Sequence, residues 1–114
     1  MNSSIKPTKK LTTALDGFKF ALMKDDSLLV LILLQSIAVC IDDKLIIYAF
    51  IALFVELLNT SIELICDFIH PEYSEKIRDI KDVAAAASFF AQIIPLIIII
   101  RKMIKKYSAQ KLKK

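Results

Sequence analysis

Hydrophobic and polar positions fall in blocks along this chain, without the period of two that a half-buried strand shows. Leu11, Ala14, Leu15, Phe18, Ala21 and Leu22 recur at helical spacing, and Lys9, Lys10, Asp16, Lys19 and Lys24 fall largely elsewhere. The pattern predicts an amphipathic helix over about 8–25, lying in a membrane surface with its apolar face down. A soluble helix packed on a core has the same pattern. Three apolar runs follow, at 28–41, 45–69 and 83–100. The first reaches only about 21 Å as a helix, short of a hydrocarbon core of about 30 Å, so the helix is expected to start near 26. The second reaches about 37 Å and the third about 27 Å. Asp42-Asp43-Lys44 reads as a tight turn between antiparallel neighbours. Pro71 ends the second helix at His70, because it lacks an N–H and disfavours helix in the residue before it. Residues 74–82 form a charged linker with helical tendency, and Pro95 is placed to kink the third helix.

The expected fold is therefore an all-α integral membrane protein: one N-terminal amphipathic surface helix plus three transmembrane helices at about 26–41, 45–69 and 83–101. A basic tail over 102–114 completes a single membrane-embedded unit. Composition supports lipid as the solvent. The chain has 114 residues, 56% hydrophobic and with one Gly, more apolar than a small soluble interior accommodates. Residues 1–10 are polar and read as frayed, without the apolar core of a signal peptide. Cys40 and Cys66 lie in apolar runs and read as small buried side chains. The net charge of +4 suits anionic headgroups, and no basic-aromatic constellation suggests nucleic acid. Charge bias leaves orientation open. With the N-terminus inside, eight Lys and Arg fall on each side.

The second apolar run carries the chemistry. Glu56, Asn59, Glu63 and Asp67 are spaced 3, 4 and 4, so they share an arc of about 80° on one helix face. A carboxylate in mid-membrane costs on the order of 2.5–3.5 kcal/mol on the insertion scale. Such groups must face protein, water or a cation. Structural roles would be interhelical hydrogen bonds or an ion pair with a lysine of a neighbouring helix. Functional roles would be divalent-cation binding, proton relay or general-base work. Lys81-Asp82, just before the third run, adds a cation at the membrane boundary. With the carboxylates it could supply the cation site, phosphate clamp and base that phosphoryl transfer needs. Alone, Lys81 reads as a solvated charge at a helix start.

The stretch Val55-Glu56-Leu57-Leu58-Asn59-Thr60-Ser61-Ile62-Glu63, followed by Asp67, Glu72-Tyr73 and Lys81-Asp82 and then Ala84–Ala87, resembles the prokaryotic diacylglycerol kinase family, which includes the undecaprenol kinases. Ala14, Gly17, Ala21 and the acid Asp25 are similar to that family's surface-helix pattern. The resemblance implies a homotrimer of three-helix subunits in the bacterial cytoplasmic (inner) membrane. It implies transfer of the γ-phosphate of ATP, with Mg²⁺, to the hydroxyl of a membrane lipid at the cytoplasmic face. Glu56 would accept the lipid's proton and Asn59 would orient the site. Glu63 would bind metal together with Asp25, and Glu72, Tyr73, Lys81 and Asp82 would contact the nucleotide. Diacylglycerol is the expected acceptor, with undecaprenol the close alternative. The chain departs from the family's pattern in five ways, two of them being the all-alanine Ala84–Ala87, without the Gly-Ser of the diacylglycerol-specific members, and a longer basic tail. Asp25-Asp26 stands where a Glu is usual, Leu28-Leu29 where Phe-Arg is common, and the interval from Asp25 to Glu56 is shorter. A different class also fits the stripe, a small oligomeric channel or scaffold in which the carboxylates line a pore or join helices.

Overall fold

The computed structural model describes residues 7–113, and every regular element among them is helical. Helix α1 spans Pro7–Lys24, α2 Asp26–Ile41, α3 Ile46–Ile69 and α4 Glu75–Lys113. Pro7 suits the first helical position, where its missing N–H has no intrahelical partner to lose. The expected frayed segment therefore already gives way to helix at Pro7, and residues 1–6 lie outside the described residues. Asp25 is extended and caps α2 by accepting the Ser27 amide at 3.0 Å. Asp42 caps a short 3₁₀ turn, Asp43–Leu45, by accepting the Lys44 amide at 3.1 Å. This polar corner folds α3 back along α2, and Ser27 at the start of α2 reaches Glu56 in the middle of α3.

α3 ends where Pro71 requires it to. His70 leaves helical geometry and its amide closes the last turn on the Cys66 carbonyl at 2.9 Å. α4 then runs unbroken for 39 residues, about 58 Å. The linker 74–82 and the tail beyond 101 are thus mostly parts of one helix with the third apolar run. Neither charged segment contains a Gly or Pro to stop the helix, and the tail's Lys, Ala, Gln and Leu are good helix formers. Pro95 lies inside α4 without ending it, fully buried, one turn beyond the small Ala91.

α3 and α4 pack most extensively, and α2 covers both. Three polar contacts mark their antiparallel register: Lys81 with Asp67, Ser88 and Gln92 with Glu56, and Lys102 with Asp42. The buried stripe of α2 is Leu28, Leu31, Gln35 and Ala38, the repeat of three and four that one helix face requires. On α1 only Ala21 is buried; Leu11 and Leu15 stay mostly exposed. Cys66 is buried as expected. Cys40 is exposed, at the edge of a groove between α2 and α3. α3 with its preceding turn, and α4, are each long and apolar enough to cross a membrane. Only 28% and 22% of their most apolar windows are buried within the chain, so most of this apolar surface is left for another medium to cover. α2, at 16 residues, is shorter.

Candidate functional site

The polar stripe of α3 turns inward. Glu56, Asn59 and Thr60 are 4%, 7% and 3% exposed, Glu63 is half-buried and Asp67 is exposed. Glu56 is the centre of the cluster. Its Oε2 accepts from the Ser88 hydroxyl and from Gln92 Nε2 at 3.1 Å, both on α4. Its Oε1 lies 3.2 Å from the Ser27 hydroxyl on α2. The same hydroxyl stands 2.6 Å from Asp25 Oδ1. Thr60 donates to the Glu56 carbonyl at 3.1 Å and stands 3.5 Å from Asp25 Oδ2. One buried carboxylate thus links three helices. Because α2 begins at this level, Glu56 sits beside the charged corner Lys24-Asp25-Asp26 and away from the middle of α2.

Asp25 is brought to the cluster although it lies 31 positions before Glu56 in the chain. Burial works against its charge. Hydrogen bonds from the Ser27 hydroxyl and amide, with a lesser one from Thr60, outweigh that and hold its carboxyl below the ordinary 3.8. Glu63 lies one turn beyond Thr60, within electrostatic reach of Asp25 and Glu56. Among the described residues no three of His, Cys, Asp and Glu converge closely enough to enclose a metal ion. Mg²⁺ asks for less, because it is usually held by one or two carboxylates and otherwise by water and phosphate oxygens. The donor set fits that demand. Asp25 and Glu63 are hard oxygen ligands, and Asn59 Oδ1 on the same face is buried with no hydrogen-bond partner.

The residues expected to contact nucleotide lie beyond the end of α3, in the turn that follows it and near the start of α4. A cleft of about 310 Å³ is lined by Asp67, His70, Glu72, Tyr73, Arg78 and Lys81, among others. Asp67 is eleven residues beyond Glu56, about 16 Å along the helix, with Glu63 between them. Tyr73 accepts from Arg78 at 3.2 Å and is otherwise open to solvent. Lys81 forms an ion pair with Asp67, the structural role open to a stripe carboxylate, and is not a lone solvated charge. Asp82 is exposed and outside the cleft lining, since one residue turns it about 100° around α4 from Lys81. Two larger grooves of about 390 and 350 Å³ flank Gln35, the first between α2 and α3 and the second between α2 and α4, with mostly apolar linings. Neither is lined by a carboxylate, but Gln92, which donates to Glu56, lines the second.

Ser27, Ser88 and Gln92 escaped the sequence reading. The last two had a usable signal, as the only polar residues in 83–100, spaced four apart and hence on one helix face. Ser27 lies outside the apolar runs and had no such signal.

A helical bundle that exposes apolar flanks and buries a three-helix carboxylate cluster fits the class of small membrane α-proteins. Residues 12–101 match the family model of prokaryotic diacylglycerol kinase, and the chain belongs to that family. No curated protein and no solved structure matches significantly. The family is one of lipid kinases, and the match spans every residue of the cluster and of the cleft beside Asp67 and Lys81.

Proposed function

We propose that this protein phosphorylates the hydroxyl of diacylglycerol with ATP, giving phosphatidic acid and ADP. The observation that carries the reading is the Glu56 carboxylate, buried between three helices within a chain of a lipid kinase family. A buried carboxylate with fixed partners and no cation of its own is suited to take a proton from a bound alcohol. In this reading Glu56 is the general base, and Asn59 orients the acceptor and the donor set beside it. Asp25 and Glu63 hold Mg²⁺, which supplies charge neutralisation on the phosphate oxygens. Tyr73 and Glu72 contact the nucleoside, and Lys81 leaves Asp67 to pair with a phosphate. Asp82 takes part only if the start of α4 turns towards the cleft.

The same reading places α2, α3 and α4 across the bacterial cytoplasmic membrane with the cluster at the cytoplasmic face. α1 lies on the surface, its open leucines in lipid. Three copies assemble, covering part of the apolar flanks. Undecaprenol is the alternative acceptor, since the cluster asks only for a primary hydroxyl on a lipid. The test is ATP consumption in mixed micelles with Mg²⁺, offering each lipid separately. Phosphorylation of diacylglycerol supports the proposal, and of undecaprenol alone reassigns the substrate. Well-folded protein that phosphorylates neither returns the channel or scaffold reading to the front.

A further inference from the structure

The two oxygens of Glu56 are not equivalent. Oε2 faces α4 and is saturated. The Ser88 hydroxyl donates to it, and Gln92 Nε2 donates to it at 3.1 Å. Gln92 also stands 2.9 Å from Ser88 Oγ. An amide donating to a hydroxyl oxygen occupies its acceptor side and leaves its hydrogen directed elsewhere, here towards Glu56. Ser88 is 2% exposed, so no water competes for that hydrogen. Oε1 faces α2 and has only a contested neighbour. The Ser27 hydroxyl has one hydrogen, and its Oγ stands 3.2 Å from Glu56 Oε1 but 2.6 Å from Asp25 Oδ1. The shorter contact takes it. Oε1 thus keeps an open lone pair on the side where Asp25 and Thr60 stand.

We infer that Ser88 and Gln92 are positioning residues, locking Oε2 of Glu56 so that Oε1 receives the proton of the acceptor hydroxyl. This rests on the reading of Glu56 as general base. In the step, the acceptor O–H proton moves to Oε1 as the acceptor oxygen bonds to the γ-phosphorus. The bond from that phosphorus to the bridging oxygen breaks, and its electron pair leaves with ADP.

The experiment is steady-state kinetics of lipid phosphorylation in mixed micelles for Ser88→Ala, Ser88→Thr, Gln92→Leu and Glu56→Gln, with helicity and melting measured for each. Loss of the lock lets the carboxylate swing by about an ångström, a displacement that costs up to about a hundredfold in rate. Ser88→Ala and Gln92→Leu are expected to lower kcat ten- to a hundredfold and leave KM for ATP unchanged, with only a modest drop in melting from the lost bond to the buried carboxylate. Ser88→Thr keeps the hydroxyl and is expected to restore most of kcat. A purely structural role moves melting and both kinetic constants together, with no rescue by Thr. Wild-type kcat in Ser88→Ala and Gln92→Leu, beside an inactive Glu56→Gln, overturns the inference alone. Full activity in Glu56→Gln overturns the base assignment, and the inference with it.

Discussion

Replacing Glu56 by Gln separates what the carboxylate does for the fold from what it does for chemistry. Gln is isosteric, and its carbonyl can take the place of Oε2 and accept from Ser88 and Gln92. Its NH₂ then faces the Ser27 hydroxyl and the Asp25 carboxylate, both of which accept. No buried donor is stranded. Two bonds change from charge-assisted to neutral, at about 1–1.5 kcal/mol each, or about 2–3 kcal/mol together. Against this, an ionised carboxylate no longer has to be kept out of water between the helices, a relief on the order of a few kcal/mol. The opposing effects nearly cancel, and the variant should unfold within about 1 kcal/mol of the wild type. Unfolding by denaturing detergent in mixed micelles, followed by helicity, measures this. The same sample should show no lipid phosphorylation. Destabilisation by about 3 kcal/mol or more would refute the reasoning, since the carboxylate would then be holding the three helices together in its own right.

Three further outcomes are expected. Gln35→Leu should stabilise the bundle by about 1 kcal/mol in the same unfolding assay, because Gln35 Oε1 is buried without a partner between two apolar grooves. Lys81→Met should raise KM for ATP about tenfold or more with melting unchanged, since the pair it makes with Asp67 is solvent-exposed and a charge-assisted phosphate contact is lost. Asp25 is more acidic folded than unfolded, so it stabilises the α1–α2 corner above its ordinary 3.8 and loses that contribution as pH falls through its lower folded value. The drop in melting temperature between pH 7 and pH 3 should be smaller in Asp25→Asn than in the wild type.

Much of this arrangement was legible in the residues because period and punctuation agree. The stripe from Glu56 to Asp67 needed only the helical repeat to share a face, and Pro71 and Asp42 closed the helices where backbone chemistry requires. The continuation of α4 was not legible, because a charged linker and a basic tail look like solvent segments until helix propensity is weighed without a breaker. Contacts between distant positions were also out of reach. Nothing local to Ser27 says that it meets Glu56, or that Asp67 already holds Lys81. Both follow from the register of antiparallel helices, which turn length and packing set together. The polar pair Ser88 and Gln92 could have been found by the argument that found the α3 stripe.

The central claim is that a buried carboxylate in this bundle moves phosphate from ATP to a lipid alcohol. The most direct test is the fate of γ-labelled phosphate when purified protein is mixed with ATP, Mg²⁺ and diacylglycerol in micelles, followed by extraction of the lipid. The account predicts label in the lipid fraction with the wild type and none with Glu56→Gln. Label appearing only as free phosphate, or equally in the lipid with both proteins, would contradict it.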